Sequence, residues 1–327
     1  MRRVLLLAAG AWLTLARAGA VCAQPKQPAI LIGWLLVQSR ESGGHYLAAF
    51  KEGLEALGWK DGSQILIEER WADGQYDRLG PLAEDLAARK PTLIVAAPSQ
   101  SVAAAKSAAP TIPIVLADGA DPVAAGFATS LAQPGGLITG LSNVATDISE
   151  KSLELLLAAV PKLKRIGFLT DSGHMYRAAF MQAAHRSVAQ RSVEARFAEV
   201  ARPEEIEPAI SRLAKEGARA LVVMSSPMLS SERRRIVKLA LSHRWAVIGP
   251  QREFAEEGAL LSYGADASAN FRRAAYYVDR ILKGAKPADI PIEQPTKFEL
   301  VINGKTATTL GVKIPNSILV RADKVIK

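Results

Sequence analysis

Short apolar runs alternate with amphipathic helical segments along almost the whole chain, and this rhythm restricts the fold more than any other feature. Ile30 to Val37 is an apolar run that stops at Gln38 and Ser39; after Ser42-Gly43-Gly44 come Leu47, Phe50, Leu54 and Leu57 at helical spacing. That order predicts a buried strand, a loop and an amphipathic helix. Gln64 to Arg70, Leu93 to Ala97, Ile114 to Ala117 and Ile138 to Ser142 read as further strands, with helices at Leu79 to Leu86 and Ser99 to Ala109. Asp121-Pro122 reads as a helix cap followed by proline at the first helical position, and Pro134-Gly135-Gly136 as a turn. The rhythm then begins again. Asp147 with Glu150 resembles a capping box ahead of a helix whose face is Leu153, Leu156, Leu157 and Val160. Strands are expected at Arg165 to Thr170, Val193 to Ala198, Ala220 to Ser225, Ala246 to Gly249 and Ala259 to Tyr263, with helices near His174 to Gln190, Pro203 to Lys215, Ser231 to His243 and Gln251 to Glu256. Asp266 caps a helix with the face Phe271, Ala274, Ala275, Val278 and Leu282, closed by Gly284; Phe298 to Ile302 is one more strand and Thr306 to Leu310 a short helix. Continuously apolar strands separated by helices belong to parallel βα units, so the fold class is α/β, in two similar halves without a sequence repeat.

A length of 327 residues suits two domains, each able to bury its own core. With 49% hydrophobic and 22% charged residues the chain is neither disordered nor fibrous. Arg2 and Arg3, the apolar stretch Val4 to Leu15 and the small residues after it have the order of a secretory signal, with cleavage after Ala20 or Ala23. The stretch is shorter than the ~20 residues of a spanning helix. Cleavage after Ala23 removes Cys22, the one cysteine, and with it any thiol chemistry. It also removes Arg2, Arg3 and Arg17 and no acid, taking the formal charge from +9 down by three to +6. Lysines and arginines are scattered, so nucleic acid is not indicated.

The dinucleotide, P-loop, hydrolase-elbow and zincin motifs are all missing, and His45, His174, His185 and His243 lack metal-ligand spacing. No catalytic residue, metal or cofactor is expected. Polar residues instead gather where strands end, which in an open parallel sheet is where ligands bind: Gln38, Ser39 and Tyr46; Pro98-Ser99-Gln100-Ser101; Asp118-Gly119 with Asp121; Thr170-Asp171-Ser172; Ser225-Ser226-Pro227; Gln251 with Glu253 and Phe254; and Tyr263. Ser99 and Asp121 are also explained as helix caps. Trp71 and Tyr76, flanking Asp73-Gly74, suit core packing or hinge support slightly better than stacking on a ligand.

Arg70 to Leu79 (RWADGQYDRL), Asp121 to Gly140, Ser262-Tyr263-Gly264, Gln294 to Asn303 (QPTKFELVIN), Thr306-Ala307 and Arg321-Ala322-Asp323 together resemble ABC transporter substrate-binding proteins, in the group that includes binders of tryptophan and other aromatic amino acids. The resemblance runs from about Ile30 to Ile326. It implies a type I periplasmic-binding-protein fold: two Rossmann-like lobes, residues 24–143 plus 265–293 and residues 144–264 plus 294–327, after a signal peptide at 1–23. Three crossings are expected near Leu141 to Asp147, Tyr263 to Asp266 and Ile292 to Lys297. It further implies a periplasmic monomer without a cofactor that closes on a small polar solute, an amino acid or similar, and presents the closed form to an ABC permease with its cytoplasmic ATPase. The cleft residues expected are Ser39, Tyr46, Ser99, Asp118, Asp171, Ser225, Glu253 and Tyr263, with hydroxyls and helix N-termini taking a carboxylate and an Asp or Glu an ammonium group. A receptor of the same fold serving a sensor protein, an exported enzyme and the effector half of a repressor are the alternatives.

Overall fold

The computed structural model describes residues 29–143, 145–294 and 298–327; the expected signal peptide lies outside them, as do parts of the first and third crossings. The first lobe is built from β1 (Ile30–Leu36), α1 (Arg40–Ala56), β2 (Ile65–Trp71), α2 (Leu79–Ala88), β3 (Leu93–Ala97), α3 (Ser99–Ala108), β4 (Ile114–Gly119) and β5 (Ile138–Ser142). The second begins with α4 (Ala145–Ala159), β6 (Arg165–Asp171), α5 (Arg177–Ala189), β7 (Glu194–Val200), α6 (Ile206–Lys215) and β8 (Ala220–Val223). It continues through α7 (Pro227–Ser231), α8 (Arg233–Ser242), β9 (Ala246–Gly249), α9 (Arg252–Glu256) and β10 (Leu261–Ala265). After α10 (Ala267–Leu282) come β11 (Phe298–Asn303), α11 (Gly304–Leu310), α12 (Asn316–Leu319) and β12 (Lys324–Ile326).

The first sheet is all parallel in the order β2-β1-β3-β4-β5, and the second has the order β12-β11-β10-β9-β8-β6-β7. Alternate residues of a strand face opposite sides, and here both sides are apolar. On β1, Ile32, Trp34 and Leu36 join the cluster under α1, whereas Leu35 and, just past the strand's end, Val37 join the one under α2 and α3. β8 divides in the same way, with Ala220 and Val222 on one face and Leu221 and Val223 on the other. A strand covered on both faces therefore reads as an unbroken apolar run, which is why the alternation of elements is so plain in the sequence.

The chain crosses between lobes to place α10 on the first. Phe271, Ala274, Ala275 and Val278 pack into the cluster that holds Trp34, Tyr46 and Phe50. A Cβ at Gly53 would sit 2.4 Å from the Arg272 carbonyl oxygen, so glycine at that turn of α1 permits the close approach of α10. The expected cap is present: Asp266 accepts from the Ala269 N–H at 3.0 Å. At the crossings, Ser142 N donates to Glu293 O (2.8 Å) and Glu293 N to Gly140 O (3.0 Å), so two connections lie side by side.

Three expectations are corrected. Asp121-Pro122 opens a turn, not a helix; Asp121 Oδ1 accepts from Val123 N and Ala124 N, but the segment continues into bends. The helix expected from Asp147 starts two residues earlier, at Ala145. The strand at Phe298 runs antiparallel to β10, because the chain leaves the lobe for α10 and comes back alongside the strand it left; the added β12 then pairs parallel with β11. Among the described residues no helix is long and apolar enough to cross a membrane.

Candidate functional site

The C-terminal ends of the two sheets' strands face one another, and a cleft of about 40 Å³ lies between them. The first lobe contributes Gln38 after β1, Pro98, Ser99 and Gln100 after β3, Asp118 at the end of β4 and Asn143 after β5. The second contributes His174 and Tyr176 after β6, Ser225, Ser226 and Pro227 after β8, and Gln251 after β9.

Unmet hydrogen-bonding capacity distinguishes this cleft. Gln38 Oε1, Ser99 Oγ, both amide atoms of Gln100 and Asn143 Oδ1 are buried and bonded to no protein group. Buried polar atoms in native proteins nearly always have partners, and leaving one without costs roughly 1–3 kcal/mol. Five such atoms on four residues around one cleft are a set awaiting a polar guest. Ser99 is informative here, because the cap position of α3 is occupied by Pro98 and the Ser99 hydroxyl caps nothing. It stands instead at the first turn of a ten-residue helix, whose leading N–H groups have no intrahelical acceptor and favour negative charge. A hollow of about 490 Å³ elsewhere on the first lobe, lined by Lys106, Ile112, Phe127 and Leu137, is larger but contains no such atom.

Opposite charge sits beside these groups. Burial pushes the Asp118 carboxyl above its ordinary value, and the amides of Asn143 (2.8 Å) and Asn270 (3.5 Å), both donating to Oδ1, pull it partly back. His174 is held neutral: burial lowers it to about 4 against the attraction of Asp171. The Tyr176 N–H donates to His174 Nδ1 at 3.2 Å, which leaves the ring proton on Nε2. The ring stacks on Phe180, their centroids 5.0 Å apart.

Among the described residues, four hydrogen bonds join the lobes across the seam. Tyr76 OH donates to Asp171 Oδ2 (2.7 Å), Tyr176 OH to the Asp121 carbonyl (3.1 Å), Ser42 Oγ meets Ser231 Oγ (3.1 Å) and His45 Nε2 meets Glu253 Oε1 (3.0 Å). Asp171, only 1% exposed, also accepts from Ser226 Oγ (2.6 Å) and from Gly173 N (2.8 Å). Burial and the Asp171 charge raise Tyr76 far above the ordinary phenol range, so its hydroxyl remains a donor.

Of the eight cleft residues expected, Ser99, Asp118 and Ser225 line the cleft. Tyr46 and Glu253 line a smaller adjoining compartment. Ser39 caps α1, accepting from Ser42 N at 3.2 Å, and touches the seam only through Ser42. Asp171 lies on the seam, where its oxygens serve Tyr76, Ser226 and Gly173 as a clasp. Tyr263 stacks on Phe298 (centroids 5.9 Å) against the core of the second lobe, because β10 runs on into a crossing. Asn143, Tyr176 and Arg233 were not foreseen. Asn143 and Tyr176 follow strand ends, which was a usable signal; Arg233 reaches the seam from α8 and had none.

Residues 38–326 match the profile of the family described as ABC transporter substrate binding protein. A tyrosine-binding protein of Clostridioides difficile (strain R20291) is 27% identical over 264 residues, 81% of this chain and 76% of that protein. Among solved structures, the ABC domain from Streptococcus pneumonia in complex with L-Trp is 26% identical, with a TM-score of 0.83 over 91% of this chain and 100% of that one. The ligand-free, open structure of a substrate-binding protein with adhesive properties from Clostridium difficile is 25% identical over the same shares, 91% and 100%, yet its TM-score is 0.65.

Proposed function

Because the chain belongs to the ABC transporter substrate-binding protein family and captures a solute for such a transporter, we propose that its solute is an amino acid held as a zwitterion between the lobes. The observation that carries this reading is the convergence of unpaired buried polar atoms, a helix N-terminus and one enclosed carboxylate on a single cleft. The solute's ammonium group pairs with Asp118 beside Asn143. Its carboxylate lies at the start of α3, where Ser99 Oγ, the Gln100 amide and the first-turn N–H groups donate. Pro98, Pro227 and Phe180 supply apolar walls. The related proteins that bind tyrosine and L-Trp support the amino-acid class.

Binding and closure are one process in this scheme. A solute touching both lobes favours the closed form only by the extra contacts it makes there. The signal passed on is that closed shape, read by a membrane permease whose cytoplasmic ATPase consumes the nucleotide, so this chain performs no bond-breaking step. On this reading the mature chain works outside the cytoplasm, as a monomer, after removal of residues 1–23.

A thermal-shift screen of amino acids, aromatic acids, sugars and purines tests the proposal. An amino acid at about 100 times its Kd adds about 2.7 kcal/mol of stability, and sugars and purines add nothing. A saturable shift from a sugar or purine with none from any amino acid would refute it.

The clasp has its own expected result. In Tyr76→Phe the seam loses a hydrogen bond to a carboxylate, which weakens the closed form by about 1.5–3 kcal/mol, so Kd rises roughly 10- to 150-fold. Titration calorimetry reads the change, and the melting temperature of the unliganded protein stays within a degree or two. An unchanged Kd would remove Tyr76 from the closing mechanism.

A further inference from the structure

Beside the main cleft and sharing Gln38 and Gln251 with it is a second compartment of about 10 Å³, completed by Ser42, Tyr46, Ser230, Arg233 and Glu253. That volume suits one group the size of a water molecule. Two residues that line it carry a buried polar atom with no partner: Gln38 Oε1, an acceptor, and Arg233 Nε, a donor.

Arg233 has no folding role that accounts for it. It opens α8 as the first of three successive arginines. Arg234 pairs with Glu257 at 3.0 Å and Arg235 with Glu207 at 3.5 Å, but Arg233 forms no ion pair among the described residues. A cation at a helix N-terminus is opposed by the helix dipole. One Arg233 NH group donates to the Ser230 carbonyl at 2.9 Å, which leaves Nε buried and unpartnered on a residue that lines the compartment.

The charges around this space define what it accepts. Burial raises Glu253, but the His45 hydrogen bond, with help from Arg233, outweighs it and holds the carboxyl below its ordinary value, so it is ionised. A carboxylate entering the space would meet Glu253, and an ammonium group would meet Arg233. A neutral group that both accepts and donates satisfies each wall.

Resting on the amino-acid reading of the main cleft, we propose that this compartment is the side-chain subsite, that it takes a ligand hydroxyl, and that Arg233 is the specificity-determining residue. The hydroxyl accepts from Arg233 Nε and donates to Gln38 Oε1. The preferred solute is thus a hydroxylated amino acid, discriminated from its deoxy analogue.

Titration calorimetry with two matched pairs, tyrosine against phenylalanine and threonine against 2-aminobutyrate, tests this on the full mature chain. In the pair that binds, the hydroxylated member is expected at least tenfold tighter. Arg233→Met should reduce that ratio to below threefold while the deoxy member keeps its Kd, and Arg233→Lys, which keeps charge but lacks Nε, should lose most of it too. Equal affinities in the unmodified protein, or a preference that survives in both variants, would overturn the subsite while leaving the amino-acid reading intact. Failure of all four compounds, alongside failure of every amino acid in the thermal screen, would overturn both.

Discussion

Replacing Asp118 with alanine raises the Kd of the bound amino acid by roughly 30- to 5,000-fold, because removing one member of a buried, hydrogen-bonded charge pair costs about 2–5 kcal/mol. The ammonium group would still enter the closed cleft but would find only amide and hydroxyl dipoles. Asp118→Asn separates this loss from any effect on folding. Its side-chain oxygen can still accept from the Asn143 and Asn270 amides, which both donate to Asp118 Oδ1 in the native protein, while the negative charge is gone. Binding should therefore collapse as in the alanine variant. The unliganded protein should melt at the same temperature or higher at pH 7, since burial penalises the native carboxylate and raises its pKa.

The sign of the pH dependence follows from that raised value. The folded chain holds a proton on Asp118 at a pH where the unfolded chain, with an ordinary carboxyl near 3.8, has released it. Acidification through this interval therefore adds stability to the unliganded protein, and Asp118→Asn lacks the gain. Affinity moves the other way: protonating Asp118 removes the partner of the ammonium group, so Kd climbs as pH falls through the raised pKa. Thermal melts and calorimetry between pH 4 and 8 measure the two trends. If binding were insensitive to both substitutions, the carboxylate would not be the ammonium site.

The fold could be read because both faces of each central strand are buried, so Ile30 to Val37 or Leu93 to Ala97 carries its identity in composition alone. The site was only partly legible, for reasons that differ by residue. Ser99, Asp118 and Ser225 follow strand ends in a parallel sheet, and topology carried them to the cleft. Asp171 and Tyr263 obey the same pattern and are placed differently. The competing partners of Asp171, Tyr76 and Ser226, come from distant parts of the chain, 95 and 55 residues away; Tyr263 lies on a strand that continues into a crossing. Neither circumstance is visible locally. Arg233 looks like one of three surface arginines, and only the pairing of its two neighbours in three dimensions separates it from them. Turn chemistry misled at Asp121, whose carboxylate makes the bonds of a cap while no helix follows.

Gly264→Ala tests how the second lobe carries its share of the cleft. Gly264 is buried on β10, and a Cβ there would lie 1.9 Å from the Pro250 carbonyl oxygen. The obstacle is backbone, so no rotamer change relieves it, and β10 must move away from the segment that follows β9. Overpacking of this kind costs about 3 kcal/mol or more, equivalent to a fall in melting temperature of roughly 5 °C or more for a protein of this size. Pro250 is followed by Gln251, which borders both compartments, and then by α9 with Glu253. Relief of the clash therefore displaces ligand-facing groups, and affinity should fall together with stability. Gly44→Ala is the matched control: Gly44 lies within α1, a Cβ there meets nothing within 4 Å, and alanine should stabilise the helix by about 0.5–1 kcal/mol. If Gly264→Ala melted like the unmodified protein, the contact between β10 and the Pro250 segment would be looser than described, and the hinge-side strand could not be what fixes Gln251 and Glu253 in place.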